Sequence, residues 1–84
     1  MSQINVVFFA SLREKLEMSD YQFEIDLPVS VGDLKQALAR DIKTGHHLLD
    51  SSVHSSVDFE FTRDNDMVPT SAREIAFFPA VTGG

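Results

Sequence analysis

No cysteine occurs among the 84 residues, which excludes disulfides, a nucleophilic thiol, a cysteine persulfide and thiolate metal sites. Basic residues are also scarce, with 7 lysines and arginines against 13 acidic side chains and a formal charge of -6. Such a charge repels polyanions, so neither nucleic acid nor an anionic membrane is expected as a partner. No apolar run approaches the roughly 20 residues needed to cross a bilayer. The first ten residues lack the basic start of a secretory signal, and a cytoplasmic location is expected. A phosphate-binding glycine loop is missing too, so any ATP chemistry belongs to a partner, and no bound cofactor is expected.

What is present fits one compact domain over residues 1–84 with a single core. At the usual stability per residue, a chain of this size is worth roughly 4 to 13 kcal/mol in total.

Residues 4–9 read INVVFF, an apolar run too short for a helix and rich in strand formers. Over 10–18 the pair Leu12 and Leu16, four apart among Arg13, Glu14, Lys15 and Glu17, predicts a short amphipathic helix. Tyr21, Phe23, Ile25 and Leu27 alternate with Gln22, Glu24 and Asp26, which predicts a strand with one wet face that stops at Pro28. Ser30 then opens Ser-Val-Gly-Asp, in which the Ser30 hydroxyl is placed to accept from the Asp33 amide. Val31, Leu34, Ala37, Leu38 and Ile42 follow at helical spacing, with Lys35 off that stripe, and Gly45 is placed to end this main helix.

Residues 46–56 form a polar, serine- and histidine-rich connection with no structure legible in its pattern. Val57, Phe59 and Phe61 alternate with Asp58, Glu60 and Thr62, which predicts a third strand, and 63–66 reads as the turn of a hairpin into Met67-Val68. A final strand is expected over 74–78, EIAFF, followed by an extended, flexible tail over 79–84. The order suits an α+β domain, a mixed sheet packed on one main helix.

Folding alone explains the tail poorly. Two adjacent glycines at the last positions arise by chance in roughly 0.5% of chains. Without side chains, Gly83 and Gly84 can thread a narrow channel and present a carboxylate to another protein. An ionised carboxylate is a poor electrophile and must first be activated, for instance as an acyl-adenylate, before a sulfur or amine nucleophile takes the acyl group.

A second feature is apolar surface on the side away from the helix. If Ile4, Val6 and Phe8 face the core, Val7 and Phe9 face outward, and if Ile75 and Phe77 face in, Ala76 and Phe78 face out. Strands lying side by side would join Val7, Phe9 and Phe78 into a partner-binding patch just before the tail. His46, His47 and His54 lack metal-ligand spacing, and the serines at 51, 52, 55 and 56 lack a nucleophile turn.

The opening Val7-Phe8-Phe9-Ala10-Ser11-Leu12-Arg13-Glu14 and the ending Ile75-Ala76-Phe77-Phe78-Pro79-Ala80-Val81-Thr82-Gly83-Gly84 resemble the sulfur-carrier small subunits of molybdopterin synthases. The spacing between them and the length agree with that family. Two turns depart from it, Ser71-Ala72-Arg73-Glu74 before the last strand and Arg63-Asp64-Asn65-Asp66 after the third. The resemblance implies a ubiquitin-like β-grasp fold with the first and last strands as central neighbours. It also implies that a ubiquitin-activator-like adenylyltransferase uses ATP on Gly84, and that sulfur transfer then gives a thiocarboxylate, which is how a cysteine-free chain would carry sulfur. Insertion of the tail into the large catalytic subunit of the synthase would follow. Partner contacts are implied for Val7, Phe9, Arg13, Met67, Phe78, Pro79, Val81 and Thr82. A carrier for thiamine or cysteine synthesis, a protein modifier joined to lysines, and a plain binding module are the alternatives.

Overall fold

The computed structural model describes residues 2–79. Among them the elements run β1 (Ser2–Phe8), α1 (Ala10–Leu16), β2 (Asp20–Ile25), β3 (Val29–Ser30), α2 (Val31–Asp41), β4 (Val53–Val57), β5 (Glu60–Thr62), β6 (Met67–Val68) and β7 (Glu74–Pro79). Five strands form one mixed sheet in the order β2-β1-β7-β4-β5, and β3 pairs with β6 in a separate small sheet. β1 and β7 are parallel at the centre, whereas β1–β2, β4–β7 and β4–β5 are antiparallel. The two strands with the longest apolar runs occupy the centre because both of their faces leave water, at least in part.

One face of this sheet packs on α2. Val31, Leu34 and Leu38 of the helix are fully buried in a cluster with Ile4, Val6, Phe8, Ile75 and Phe77. At about 25 cal/mol per Å2 of apolar surface, each such side chain contributes roughly 1.5–3 kcal/mol. α1 adds Leu12 and Leu16, both buried, and stops at Leu16 because Glu17 turns into the left-handed region, where its amide reaches the Arg13 and Glu14 carbonyls.

The start of α2 is closed in three ways. The Ser30 hydroxyl accepts from the Asp33 amide at 3.1 Å, as the sequence predicts. The Val31 and Gly32 amides donate to the carbonyls of Asp66 and Asp64 at 2.9 and 2.8 Å. The loop comes this close because Gly32 has no side chain: a β-carbon there would sit 3.2 Å from the Asp64 oxygen. Lys35, expected off the apolar stripe, is buried instead, its Nζ held by Asp64 Oδ1 at 2.6 Å and by the Val53 carbonyl at 3.4 Å. Its aliphatic stem packs while the ammonium charge is met by the Asp64 carboxylate.

The helix ends at Asp41, before Gly45, and Gly45–Leu49 forms a 3-10 turn that returns Leu48 to the core. Here glycine is required by close approach, since a β-carbon on Gly45 would lie 2.7 Å from Ala39 Cα and 2.8 Å from the Leu38 carbonyl oxygen.

Two expectations for the third quarter of the chain are overturned. The strand predicted from Val57 onward lies earlier, over Val53–Val57, and Asp58 and Phe59 are the turn of a hairpin into β5. Both turn residues have positive φ, 47° and 73°, which matches the right-handed twist of the strands in a two-residue type I′ loop. The second correction concerns residues 63–66, which do not fold Met67-Val68 back on the preceding strand: Val68 pairs with Val29 and Met67 with Ser30.

Candidate functional site

The strand register decides which side chains share the outer face, away from α2. Val6 lies beside Ile75 and Phe8 beside Phe77 on the core side, so Val7, beside Ala76, is on the outer side. Phe9 is still extended, with φ -119° and ψ 156°, and its amide donates to the Phe77 carbonyl at 3.1 Å. Continuing the alternation, it faces outward as well.

On the other flank of β7, His54 lies opposite Phe78 and Ser56 opposite Ala76, and Phe61 of β5 is in register with Ser56. The Phe78 ring is packed by His54, with centroids 6.1 Å apart, and by Phe61 edge-on at 5.9 Å. The outward-facing side chains therefore lie side by side, over more of the sheet than alternation in the two central strands suggests. Val7, Phe9, Ala76, Phe78, His54 and Phe61 make a continuous band across four strands. Phe61 is 84% exposed and Phe9 50%, while Val7 and Phe78 are half-buried. Ala76 is buried because its methyl lies in register between Val7 and Ser56.

Exposed aromatic surface of this kind gains free energy when a partner covers it and is rare without one. Pro79, paired with Val53, continues the band toward the C-terminal segment. Arg13 and Met67 are both exposed, but on α1 and in the small sheet, and neither belongs to the strands that carry the band. Val81, Thr82, Gly83 and Gly84 lie outside the described residues.

His54 and Phe61 are the members that pattern reading missed. Their signal was present: with the strand set at Val53–Val57, His54 alternates with buried Val53, Ser55 and Val57. It was hidden because Ser55 is a polar residue facing the core, satisfied by the Thr62 hydroxyl at 2.7 Å and carbonyl at 3.3 Å.

The rest of the surface is chemically quiet. At the end of the outer face away from Pro79, Gln22 donates to Asn5 at 2.8 Å and Asn5 to Glu74 at 3.4 Å, which makes that end polar. An open groove of about 710 Å3 runs between α2 and the β4–β5 pair. Its one deeply buried cation, Lys35, is already neutralised by Asp64. At its rim the Ser52 amide and hydroxyl both donate to Asp50, holding that carboxyl below the usual carboxylate range.

The His46 and His47 rings lie 4.1 Å apart, yet among the described residues no group of three or more His, Cys, Asp or Glu is placed to hold a metal. No helix is long and apolar enough to cross a membrane, again among the described residues.

A mixed five-stranded sheet with a parallel central pair, packed on one main helix, defines a ubiquitin-like β-grasp domain. The same fold occurs in small archaeal modifier protein 1 of Haloferax volcanii, with a TM-score of 0.79 and 20% identity over 99% of this chain and 100% of that one. It also occurs in a putative molybdopterin converting factor subunit 1 of Pyrococcus furiosus, with a TM-score of 0.69 and 17% identity over 96% of this chain and 100% of that one. Residues 6–84 match the ThiS family, and the chain belongs to that family. It is also 38% identical, over 66 residues covering 73% of this chain and 72% of the relative, to a molybdopterin synthase sulfur carrier subunit of Synechococcus elongatus.

Proposed function

We propose that the chain is the sulfur carrier of a molybdopterin synthase, and that Gly84 is its reactive residue. The observation that carries this reading is the 38% identity to a molybdopterin synthase sulfur carrier subunit. The Val7–Glu14 and Ile75–Gly84 segments, which resemble that family, and the outer band just before Pro79 support it.

In this reading a ubiquitin-activator-like adenylyltransferase transfers AMP from ATP to the Gly84 carboxylate, with pyrophosphate leaving. Adenylation supplies the leaving group that a bare carboxylate lacks. Hydrosulfide attacks the acyl-adenylate and displaces AMP, and the product is a C-terminal thiocarboxylate. The band formed by Val7, Phe9, Phe61 and Phe78 then docks on the large catalytic subunit, and Val81, Thr82 and Gly83 carry Gly84 into its active site. There the thiocarboxylate sulfur passes to a cyclic pyranopterin phosphate, water hydrolyses the Gly84 acyl group back to a carboxylate, and a second charged copy of the chain supplies the other sulfur of the dithiolene. The catalytic groups for that step belong to the partner, and this chain holds no cofactor of its own.

The test is intact mass spectrometry after incubation with ATP, a sulfide source and the activating enzyme. The expected result is a gain equal to the replacement of one oxygen by sulfur, lost again on adding the large subunit and pterin precursor. An unchanged mass with an enzyme shown to be active would overturn the reading. A ladder of lysine conjugates would replace it with a modifier role.

A further inference from the structure

One feature of the β4–β5 hairpin works against the fold. Phe59 occupies the second position of a type I′ turn with φ 73°, where glycine or asparagine is the favoured residue. A bulky aromatic there is an outlier. The ring gains nothing from burial in return, because it is 87% exposed. Strain of this kind persists where the surroundings over-determine it, and here they do. The Asp58 amide donates to the Glu74 carbonyl at 2.9 Å, and the Asp58 carboxylate accepts from the Arg73 and Glu74 amides at 3.1 and 3.0 Å. The hairpin tip is thereby tied to the start of β7, and Phe59 is held out in water.

Position adds to this. β4 runs from Val53, opposite Pro79, to Val57, opposite Ile75. The tip therefore lies at the end of the sheet away from Pro79, beyond Val57, which is itself about 13 Å from Val53 at the rise of a strand. Between the two ends stand Phe61 and Phe78 in edge-on contact, so the aromatic surface continues from the tail side toward the tip. Glu60, next to Phe59, is exposed, and the chain carries a charge of -6.

We propose that Phe59 is a second anchor for the large catalytic subunit of the synthase. It enters an apolar pocket rimmed by basic side chains and fixes the angle at which the tail enters the active site. This inference rests on the carrier reading. The backbone that carries the ring is already fixed through Asp58, so binding orders only the ring torsions, and aromatic anchors are where binding energy concentrates.

The test uses the full chain and two substitutions, Phe59→Gly and Phe59→Asn, each followed by thermal melting and by calorimetric titration against the large subunit and against the activating enzyme. Relief of the left-handed strain raises Tm by a few degrees in both variants, at about 4–8 °C per kcal/mol for a domain of this size. Affinity for the large subunit falls about tenfold or more in both, while binding to the activating enzyme is unchanged. Affinity for the large subunit within about threefold of the parent would overturn the anchor, as would a loss confined to the activating enzyme. A fall in Tm in both variants would also overturn it, by showing that Phe59 serves the fold. If the parent itself does not bind the large subunit, the carrier reading fails and the anchor with it.

Discussion

Replacing Phe78 by glutamate tests the outer band at its centre. In the free protein the substitution removes two ring contacts, to His54 at 6.1 Å and Phe61 at 5.9 Å. Aromatic pairs are worth about 0.5–1.5 kcal/mol each, and glutamate is a poorer strand residue than phenylalanine by up to about 1 kcal/mol. Against this, His54 lies directly across from position 78 in the register. A carboxylate there gains a cross-strand partner worth about 0.2–1 kcal/mol, and more of it when the imidazole is charged.

The net loss is therefore about 2 kcal/mol and at most about 4, no more than the roughly 4–13 kcal/mol available to a chain of this length, and the variant stays folded. In the complex the same carboxylate must leave water for an apolar contact. An unpaired buried charge costs at least about 3 kcal/mol, a loss of roughly a hundredfold or more in affinity. The assay is calorimetric titration against the large subunit, run beside a thermal melt, with Phe78→Leu as the control that keeps the surface apolar. Affinity of Phe78→Glu within about threefold of the parent, with the fold intact, would refute the docking face.

Three further outcomes are expected. Deleting Gly84 abolishes sulfur transfer and leaves the melting curve unchanged, because a terminal glycine has no side chain to bury; unfolding of the truncated chain would count against this. Gly45→Ala lowers Tm by roughly 10 °C, since the added β-carbon meets backbone of α2 at 2.7 and 2.8 Å and overpacking costs about 1–3 kcal/mol. Tyr21→Phe removes the phenol that donates to Asp41, a bond that raises the Tyr21 pKa above its ordinary value, helped by burial and the nearby charge. A raised folded-state pKa contributes stability that is whole below pH about 10 and is lost as pH rises through the folded value. Chemical denaturation should thus show the parent about 1 kcal/mol more stable at neutral pH, with the gap closing in alkali.

Elements whose apolar spacing is regular were legible in the sequence. Leu12 and Leu16 marked α1, Val31, Leu34 and Leu38 marked α2, and the unbroken runs at the two ends marked the central strands. In each of these, burial alone decides the structure, and burial leaves a period in the sequence. The pattern failed where polar contacts decide. Ser55 faces the core because Thr62 satisfies it, and Lys35 is buried because Asp64 neutralises it. Thr62 is reached only across the hairpin turn and Asp64 lies 29 residues from Lys35, so no local period announces either contact. The I′ turn was missed for a related reason: Asp58-Phe59 lacks the glycine that usually marks such a turn, and its positive φ is enforced by hydrogen bonds from residues 73 and 74. Of the candidate site, Val7, Phe9 and Phe78 followed from alternation, whereas His54 and Phe61 depended on that turn.

The polar accounting also bears on where function can reside. Among the described residues no buried side-chain nitrogen or oxygen lacks a hydrogen-bond partner. The first amides of α2, a common seat for anions, are taken up by Ser30, Asp64 and Asp66. Lys35, the one deeply buried cation among the described residues, is taken up by Asp64. The domain interior thus satisfies itself, and the unsatisfied free energy lies outside it, in apolar rings facing water from Phe9 across Phe78 to Phe61 and Phe59. A partner that covers this line gains binding energy without disturbing any internal bond.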